Sequence, residues 1–166
     1  GPNWLDKRIV AQQYDDRDPA VLVVGGGQAG LSIAARLTQL GIDTLIVDKN
    51  SRIGDNWRNR YHALTLHNQL HVNHLPYVPF PSTWPTYIPK DMLALWFESY
   101  AAIMELNFWT DIEVTAGTYD EATKLWDITL TLKDGNTRHM APRHVVLATG
   151  VSGCLLYTSD AADEED

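Results

Sequence analysis

The chain has 166 residues, of which 45% are apolar and 20% charged, a composition that suits one globular domain with an apolar core. Its formal net charge of −8 offers no basic surface for a phosphate backbone, which argues against nucleic acid as a partner, and its single cysteine excludes a disulfide framework. No apolar run is long enough to cross a membrane and no signal peptide is evident, so we expect a cytoplasmic protein without a membrane partner.

The first part of the chain predicts a lead-in segment followed by a βαβ unit. Residues 1–19 are polar and are expected to lie outside the fold, with a short helix at most. The β-branched run at 20–24 predicts a buried parallel strand. Residues 28–40 predict an amphipathic helix that Gly41 caps, and residues 44–47 predict the second strand of the unit.

A glycine-rich turn joins the first strand to the helix, with the spacing Gly25-x-Gly27-x-x-Gly30. Gly25 permits a tight turn, Gly27 lets the backbone approach a pyrophosphate, and Gly30 lets helix and strand pack closely. The helix N-terminus would direct its N–H groups and the positive end of its dipole toward the phosphates. Asp48 ends the second strand, where a carboxylate can accept the ribose hydroxyls, so the sequence predicts a dinucleotide site.

Residues 49–89 are rich in proline and aromatic residues, which predicts an ordered loop rather than a disordered linker. We expect the aromatic side chains to pack this loop onto the domain rather than to form a substrate cage. His67, His71 and His74 have the spacing of metal ligands on a helix, but nearby prolines and the lack of a carboxylate argue against a metal site. Hydrogen-bonded structural roles are expected for His71 and His74.

The rest of the chain predicts a helix, an antiparallel meander and a final strand. Apolar residues recur at helical spacing over 91–107. Strands are expected at 112–119, 125–133 and 137–140, with Asp134-Gly135 as a two-residue hairpin turn, and a last buried strand at 144–148. The expected fold class is therefore α/β: a Rossmann-like βαβ unit with a parallel sheet, an inserted loop, a helix and an antiparallel β-meander.

The order of these elements bears on which dinucleotide is bound. In an NAD dehydrogenase a second βαβ half would follow soon after Asp48. Here the loop, the helix and the meander intervene before the sheet resumes, which favours a domain that binds FAD. An NAD-only dehydrogenase half and a non-catalytic nucleotide-binding module are the alternatives.

Five segments between residues 20 and 150 carry a resemblance: GGGQAG (25–30), RIGDNWRNRYHALTLHN (52–68), LPYVPFPSTWPTYIPK (75–90), WFESYA (96–101) and VVLATG (145–150). Together they resemble the N-terminal FAD-binding part of flavin-containing monooxygenases. The likeness is greatest to the bacterial and fungal group that is similar to plant auxin-synthesising monooxygenases and, more distantly, to Baeyer–Villiger enzymes.

The resemblance implies cofactor contacts for a set of residues. The implied pyrophosphate contacts are Gly25, Gly27, Gln28 and Gly30, and the implied ribose contacts are Asp48 and Lys49. The phosphate and ring side would be lined by Gly54, Trp57 and Arg58. One of His67, Asn68 and Gln69 would lie beside the isoalloxazine ring, with His67 and Asn68 as the candidates nearest the chemistry. Val114 would contact adenine through its main chain, and the chain would leave the domain at Ala148, Thr149 and Gly150.

The resemblance also implies an activity that this chain would share only in part. In the full-length enzyme NADPH would reduce FAD, O2 would add to the reduced flavin, and a flavin (hydro)peroxide would oxygenate a small organic substrate. The chain has no second glycine motif for NADPH, so residues 20–153 are expected to be an incomplete FAD-binding domain that is inactive alone. No cysteine precedes Cys154, which excludes the redox pair of related disulfide reductases.

Residues 154–166 depart from the pattern of the preceding domain. They carry five acidic residues and neither lysine nor arginine, and the proline-containing continuation of the family is missing. We expect a non-native tail of low order, the translation of a sequencing adaptor, with a genuine acidic tail as the alternative.

Overall fold

The structure is a computed structural model that describes residues 1–150. The expected tail at 154–166 and the expected domain boundary at residue 153 lie outside the described residues. The helices are α1 (Trp4–Gln13), α2 (Gln28–Gln39), α3 (Asp55–Arg58) and α4 (Lys90–Ile103). The strands are β1 (Val21–Val24), β2 (Thr44–Val47), β3 (Thr65–Gln69), β4 (Tyr87–Pro89), β5 (Asn107–Trp109), β6 (Ile112–Asp120), β7 (Leu125–Leu132), β8 (Thr137–Met140) and β9 (His144–Leu147). Among residues 1–150, no helix has both the length and the apolar character needed to cross a membrane.

The predicted βαβ unit forms the centre of a four-stranded parallel sheet with the strand order β5-β2-β1-β9. Val23 on β1 lies opposite Ile46 on β2 and opposite Val146 on β9. The β-branched runs on β1 and β2 are almost entirely buried, as expected for parallel strands that are covered on both faces. The predicted α/β class and the return of the sheet at β9 are confirmed, but the predicted burial of this last strand is wrong, since its residues are exposed or half-buried.

Side chains on the two faces of this sheet enter different apolar clusters. Val21 and Val23 belong to the cluster under α2, α4 and the inserted loop, whereas Leu22 belongs to the cluster under the meander. This division follows from the alternation of side chains along a strand. The sheet is therefore the layer that holds the rest of the domain together.

The second long helix ends earlier than the sequence predicts, and the last residue of the predicted helix, Asn107, begins a strand. The predicted helix covers 91–107, but α4 ends at Ile103. Glu105 adopts a left-handed φ of 51°, and the N–H groups of Glu105 and Leu106 donate to the carbonyls of Ala102 and Ala101. These two bonds are a Schellman motif, the usual way to end a helix. β5 then pairs in parallel with β2.

The inserted loop at 49–89 is ordered and has secondary structure of its own. It contains α3, and its strand β3 pairs antiparallel with β4. Phe80 is buried, with its ring centroid 5.1 Å from that of Trp84 and 5.2 Å from that of Trp96 on α4. These aromatic side chains pack the loop onto the domain, as the sequence predicted.

The meander β6-β7-β8 is antiparallel as predicted, but its hairpin turn has three residues instead of two. The Leu132 N–H donates to the Asn136 carbonyl, which leaves residues 133–135 in the turn. Gly135 has a φ of 84°. Three-residue hairpins place a glycine in this left-handed position, so the Asp-Gly pair indicated the hairpin but not its length.

The N-terminal segment is part of the fold, which corrects the expectation of a lead-in outside it. α1 starts with a capping box in which the Asn3 and Asp6 side chains each accept the other's backbone N–H. The Tyr14 side chain, directly after α1, is completely buried in the cluster under the meander. Its hydroxyl donates to Asp43 Oδ1 at 2.7 Å and accepts from Asn107 Nδ2 at 2.8 Å.

Replacing Tyr14 by phenylalanine should therefore destabilise the protein. The change removes the hydroxyl and leaves the Asn107 amide without that acceptor, which should cost about 1–2 kcal/mol in the free energy of unfolding. Chemical denaturation of both proteins measures the difference. Equal midpoints would show that the hydroxyl contributes nothing net to the fold.

Candidate dinucleotide-binding site

The glycine loop lies between β1 and α2, at the carboxyl edge of the parallel sheet, where ligands of open α/β sheets bind. Gly25 has a φ of 110°, and a Cβ atom there would lie 2.2 Å from the Ala148 carbonyl oxygen. The Gly25 N–H donates to the Val47 carbonyl. Position 25 therefore requires glycine for its conformation and for the close approach of the segment after β9.

The N-terminus of α2 is open for an anion. Gly27 is its N-cap, and no side chain in the described part of the chain caps the helix. First-turn N–H groups of a helix have no acceptor within the helix, so they can donate to a phosphate. Of the groups in residues 1–150, one lies within 4 Å of a Cβ built on Gly27, the Asn56 amide with Nδ2 at 3.2 Å. Gln28 is exposed.

Gly30 has a different role from Gly27, because it sets the contact between helix and strand. A Cβ at position 30 would lie 1.8 Å from the Gly25 carbonyl oxygen and 2.9 Å from its carbon. No side chain fits there without a shift of the backbone. Gly25 and Gly30 thus permit close backbone contacts within the fold, whereas Gly27 leaves the side of the loop that a ligand would approach open.

The Asp48 carboxylate holds the glycine loop to the end of β2. Its Oδ2 accepts from the Gly26 N–H at 2.7 Å, and its Oδ1 accepts from the Asn50 N–H at 2.8 Å. Each carboxylate oxygen can accept two hydrogen bonds, so each keeps one position for a ribose hydroxyl. Asp48 is half-buried beside the loop, and Lys49 next to it is exposed.

A short segment with α3 lies against the loop and carries the predicted residues Gly54, Trp57 and Arg58. A Cβ on Gly54 would lie 2.4 Å from the Ala94 carbonyl oxygen, which fixes the close approach of this segment to α4. Trp57 packs against the cluster under α2 and α4. Arg58 donates to Asp55 Oδ1 at 2.7 Å and to Glu98 Oε2 at 2.6 Å, so its guanidinium is bound within the protein.

Arg52, Asp55, Arg58 and Glu98 form an ion-pair cluster that lowers the pKa of both carboxyls. For Glu98 the hydrogen bond from Arg52 is the main cause. Burial raises the pKa of Asp55. Hydrogen bonds from Arg58 and Ser51, together with the charge of Arg58, lower this pKa by more, so the net shift is downward.

The free energy of unfolding should therefore decrease when the cluster is protonated. A carboxyl whose pKa is lower in the folded protein than in the unfolded chain stabilises the fold at any pH above the unfolded pKa, which is 4.5 for Glu98. This contribution is lost as the pH falls through the pKa of the folded protein. We expect a decline below pH 4.5 that is shallower in Glu98→Gln. Urea unfolding as a function of pH measures it, and an identical pH dependence in both proteins would contradict the expectation.

The remaining predicted residues lie on other elements. His67, Asn68 and Gln69 are exposed on β3, and the structure does not select among them for the ring-side position. Val114 is half-buried on β6, a strand that starts beside the site because the Ile112 N–H donates to the Asp48 carbonyl. Ala148 borders Gly25, and Thr149 and Gly150 follow in exposed positions.

Both histidines for which a structural role was expected are exposed, and the side-chain hydrogen bonds within residues 1–150 include one of His74 and none of His71. His74 accepts the Phe80 N–H on Nδ1 at 3.0 Å, which is the hydrogen-bonded role that was expected for it. His71 is exposed on a 3-10 turn at Leu70–Val72.

Three residues near the site escaped the sequence analysis. Gly26 donates to Asp48, and its position within GGG could have indicated it. Asn56 places its amide beside Gly27, and Glu98 binds Arg58 across 40 positions of sequence. Neither of the latter has a sequence signal, since Asn56 meets Gly27 only when α3 lies against the glycine loop, and Glu98 meets Arg58 only when α3 packs on α4.

Comparisons with known proteins agree with this geometry. A family model described as NAD(P)-binding Rossmann-like domain matches residues 23–83. The chain is similar to indole-3-pyruvate monooxygenase YUCCA1 of Oryza sativa subsp. japonica, with 30% identity over 174 aligned positions. This alignment covers 94% of this chain and 41% of the relative. Its structure is similar to the flavin-containing monooxygenase from Stenotrophomonas maltophilia, with a TM-score of 0.71, 25% identity, and coverage of 82% of this chain and 40% of the other. A bacillithiol disulfide reductase from Bacillus cereus shares the fold, with a TM-score of 0.73, 19% identity, and coverage of 80% and 40%.

The chain spans less than half of the length of these relatives, 41% of the rice protein and 40% of the bacterial monooxygenase. The matching part carries the glycine loop and the parallel sheet, and the resemblance that the sequence indicated is confirmed. The chain is similar to flavin monooxygenases over less than half of their length, and its residues 23–83 match a Rossmann-like domain described as NAD(P)-binding.

Proposed function

We propose that this chain is the FAD-binding part of an NAD(P)H-dependent flavin monooxygenase that acts on a small organic substrate with O2. The observation that carries the proposal is the open glycine loop beside Asp48, at the carboxyl edge of the sheet. The uncapped N-terminus of α2 and the open face of Gly27 fit a pyrophosphate, and the unused acceptor positions of Asp48 fit ribose hydroxyls.

FAD is favoured over NAD as the bound dinucleotide by two observations. Between β2 and β9 the chain inserts α3, the β3-β4 pair, α4 and the meander, where a second nucleotide-binding half would be expected in an NAD dehydrogenase. The rice relative at 30% identity and the Stenotrophomonas relative at 25% identity are both monooxygenases, and the second is described as flavin-containing. One observation favours an NAD-only half instead, namely the description of the matching family model as NAD(P)-binding.

Bound FAD would supply the redox chemistry, and the residues of this chain would bind and orient it. In this proposal Gly25, Gly27, Gln28 and Gly30 form the pyrophosphate cradle, and Asp48 with Lys49 holds the ribose. Trp57 and one of His67, Asn68 and Gln69 line the ring side, and Val114 lies on the adenine side. NADPH and the substrate would bind to the rest of the parent enzyme, so the chain alone should not oxidise NADPH.

Absorbance spectroscopy tests the proposal on the purified chain. We expect flavin bands, either as isolated or after reconstitution with FAD, and no binding of NADH at equal concentration. A chain that binds NADH but not FAD would be the NAD-only half, and a chain that binds neither would overturn the proposed function. Steady oxidation of NADPH by the chain would contradict the proposal that NADPH binds to the rest of the parent enzyme.

A further inference from the structure

One carboxylate on α4 fastens the segment 52–58 at both of its ends. Glu98 Oε2 accepts from Arg58 Nη2 at 2.6 Å. Arg52 binds the same carboxylate with two donors, Nε to Oε2 at 3.0 Å and Nη2 to Oε1 at 3.1 Å. Charge-assisted and two-pronged contacts of this kind fix geometry as well as attraction.

Three hydrogen bonds from the Arg58 guanidinium are made inside the protein. Besides Glu98, its guanidinium donates to Asp55 Oδ1 at 2.7 Å and to the Ile53 carbonyl at 3.0 Å. The Arg58 carbonyl accepts from Lys90 Nζ at 2.9 Å. The arginine therefore acts as a connection between α3 and α4.

The fastened segment forms one side of the space in front of the glycine loop. Ile53 Cδ1 would lie 2.7 Å from a Cβ on Gly26, and Asn56 Nδ2 would lie 3.2 Å from a Cβ on Gly27. The Asn56 amide thus lies beside the uncapped end of α2. A shift of α3 would move this amide and change the width of the space that a pyrophosphate enters.

We propose, resting on the proposed function, that Glu98 is a positioning residue: it holds Arg52 and Arg58 and so keeps α3 and the Asn56 amide against the glycine loop. Positioning and simple electrostatics predict opposite effects of its removal. Loss of a negative charge near the loop would by itself strengthen the attraction for a pyrophosphate. Release of α3 would weaken binding.

The test uses the full chain with Glu98→Gln, the conservative Glu98→Asp, and Glu113→Gln as a control with the same change in charge at an exposed position on β6. Fluorescence titration gives the Kd for FAD, and hydrogen exchange without ligand gives the protection of residues 53–58. We expect Glu98→Gln to weaken FAD binding about tenfold, which corresponds to the loss of one charge-assisted hydrogen bond. Exchange at 53–58 should become faster while α2 stays protected, and Glu98→Asp should recover part of both losses.

Each other result overturns a specific claim. Unchanged exchange at 53–58, or a Kd for FAD no weaker than in the Glu113→Gln control, would overturn the positioning role. Faster exchange with an unchanged Kd would leave Glu98 as a purely structural residue, which also overturns it. If the unaltered chain binds no FAD, the proposed function fails first, and exchange still reports whether Glu98 holds α3. If Glu98→Gln does not fold, the Kd for FAD and the exchange at 53–58 in Glu98→Asp, compared with those of the Glu113→Gln control, decide whether Glu98 has the positioning role.

Discussion

Replacing Gly27 by valine is expected to abolish FAD binding while the fold stays intact. The backbone of Gly27 is extended, with φ −83° and ψ −164°, a conformation that valine adopts without strain. Among residues 1–150, a new Cβ would meet only the flexible Asn56 amide within 4 Å. The added methyl groups would occupy the face that a pyrophosphate must approach, so the Kd for FAD should rise at least about 100-fold, or about 3 kcal/mol.

The matched control adds the same two γ-methyl groups at a position away from the site that already has a Cβ. Ala122 is exposed in the turn between β6 and β7, so Ala122→Val should leave the Kd unchanged. Flavin content and thermal unfolding are measured for both variants. Retention of FAD by Gly27→Val would refute the assignment of the cradle, and a large loss of thermal stability would make Gly27 a structural residue.

The elements that the sequence predicted are those with a local conformational signal. α2 ends in a Schellman motif whose left-handed residue is Gly41, and the glycine was visible as a cap. α4 ends in the same motif, but Glu105 occupies the left-handed position. A side chain that rarely adopts this conformation gives no signal, so the helix was predicted too long and β5 was missed.

The parts of the site that depend on distant pairs were not predictable. Asp48 was identified because it ends a strand beside a glycine loop, which is a matter of short spacing. Arg58 was assigned to the cofactor by resemblance, yet its contacts with Glu98 give it a place in the ion-pair cluster. Tyr14 joins the fold through Asn107, 93 positions later. For Arg58 and Tyr14, the partner becomes a neighbour only once the sheet and α4 have brought two distant segments of the chain together.

Gly30→Ala is expected to destabilise the whole fold, in contrast to Gly27→Val. Glycine to alanine in a helix normally stabilises a protein by about 0.5–1 kcal/mol, because alanine restricts the unfolded chain. At position 30 the Cβ would lie 1.8 Å from the backbone carbonyl oxygen of Gly25, and backbone cannot rotate away as a side chain can. α2 must then move off β1, which we expect to cost about 3 kcal/mol and to lower the Tm by about 6–12 °C.

Differential scanning calorimetry with and without FAD separates this effect from a local one at the site. Ser32→Ala serves as control in the same helix, since its hydroxyl donates to the Gln28 carbonyl and its loss should change the Tm little. A Tm for Gly30→Ala equal to or above that of the unaltered chain would show that the approach of α2 to β1 is looser than the structure gives. Weak FAD binding at unchanged Tm would instead show that Gly30 is needed for contact with the ligand and not for the packing of α2 on β1. The two glycines thus test independent requirements of one motif, because one keeps the space for the ligand and the other keeps the helix close enough to create that space.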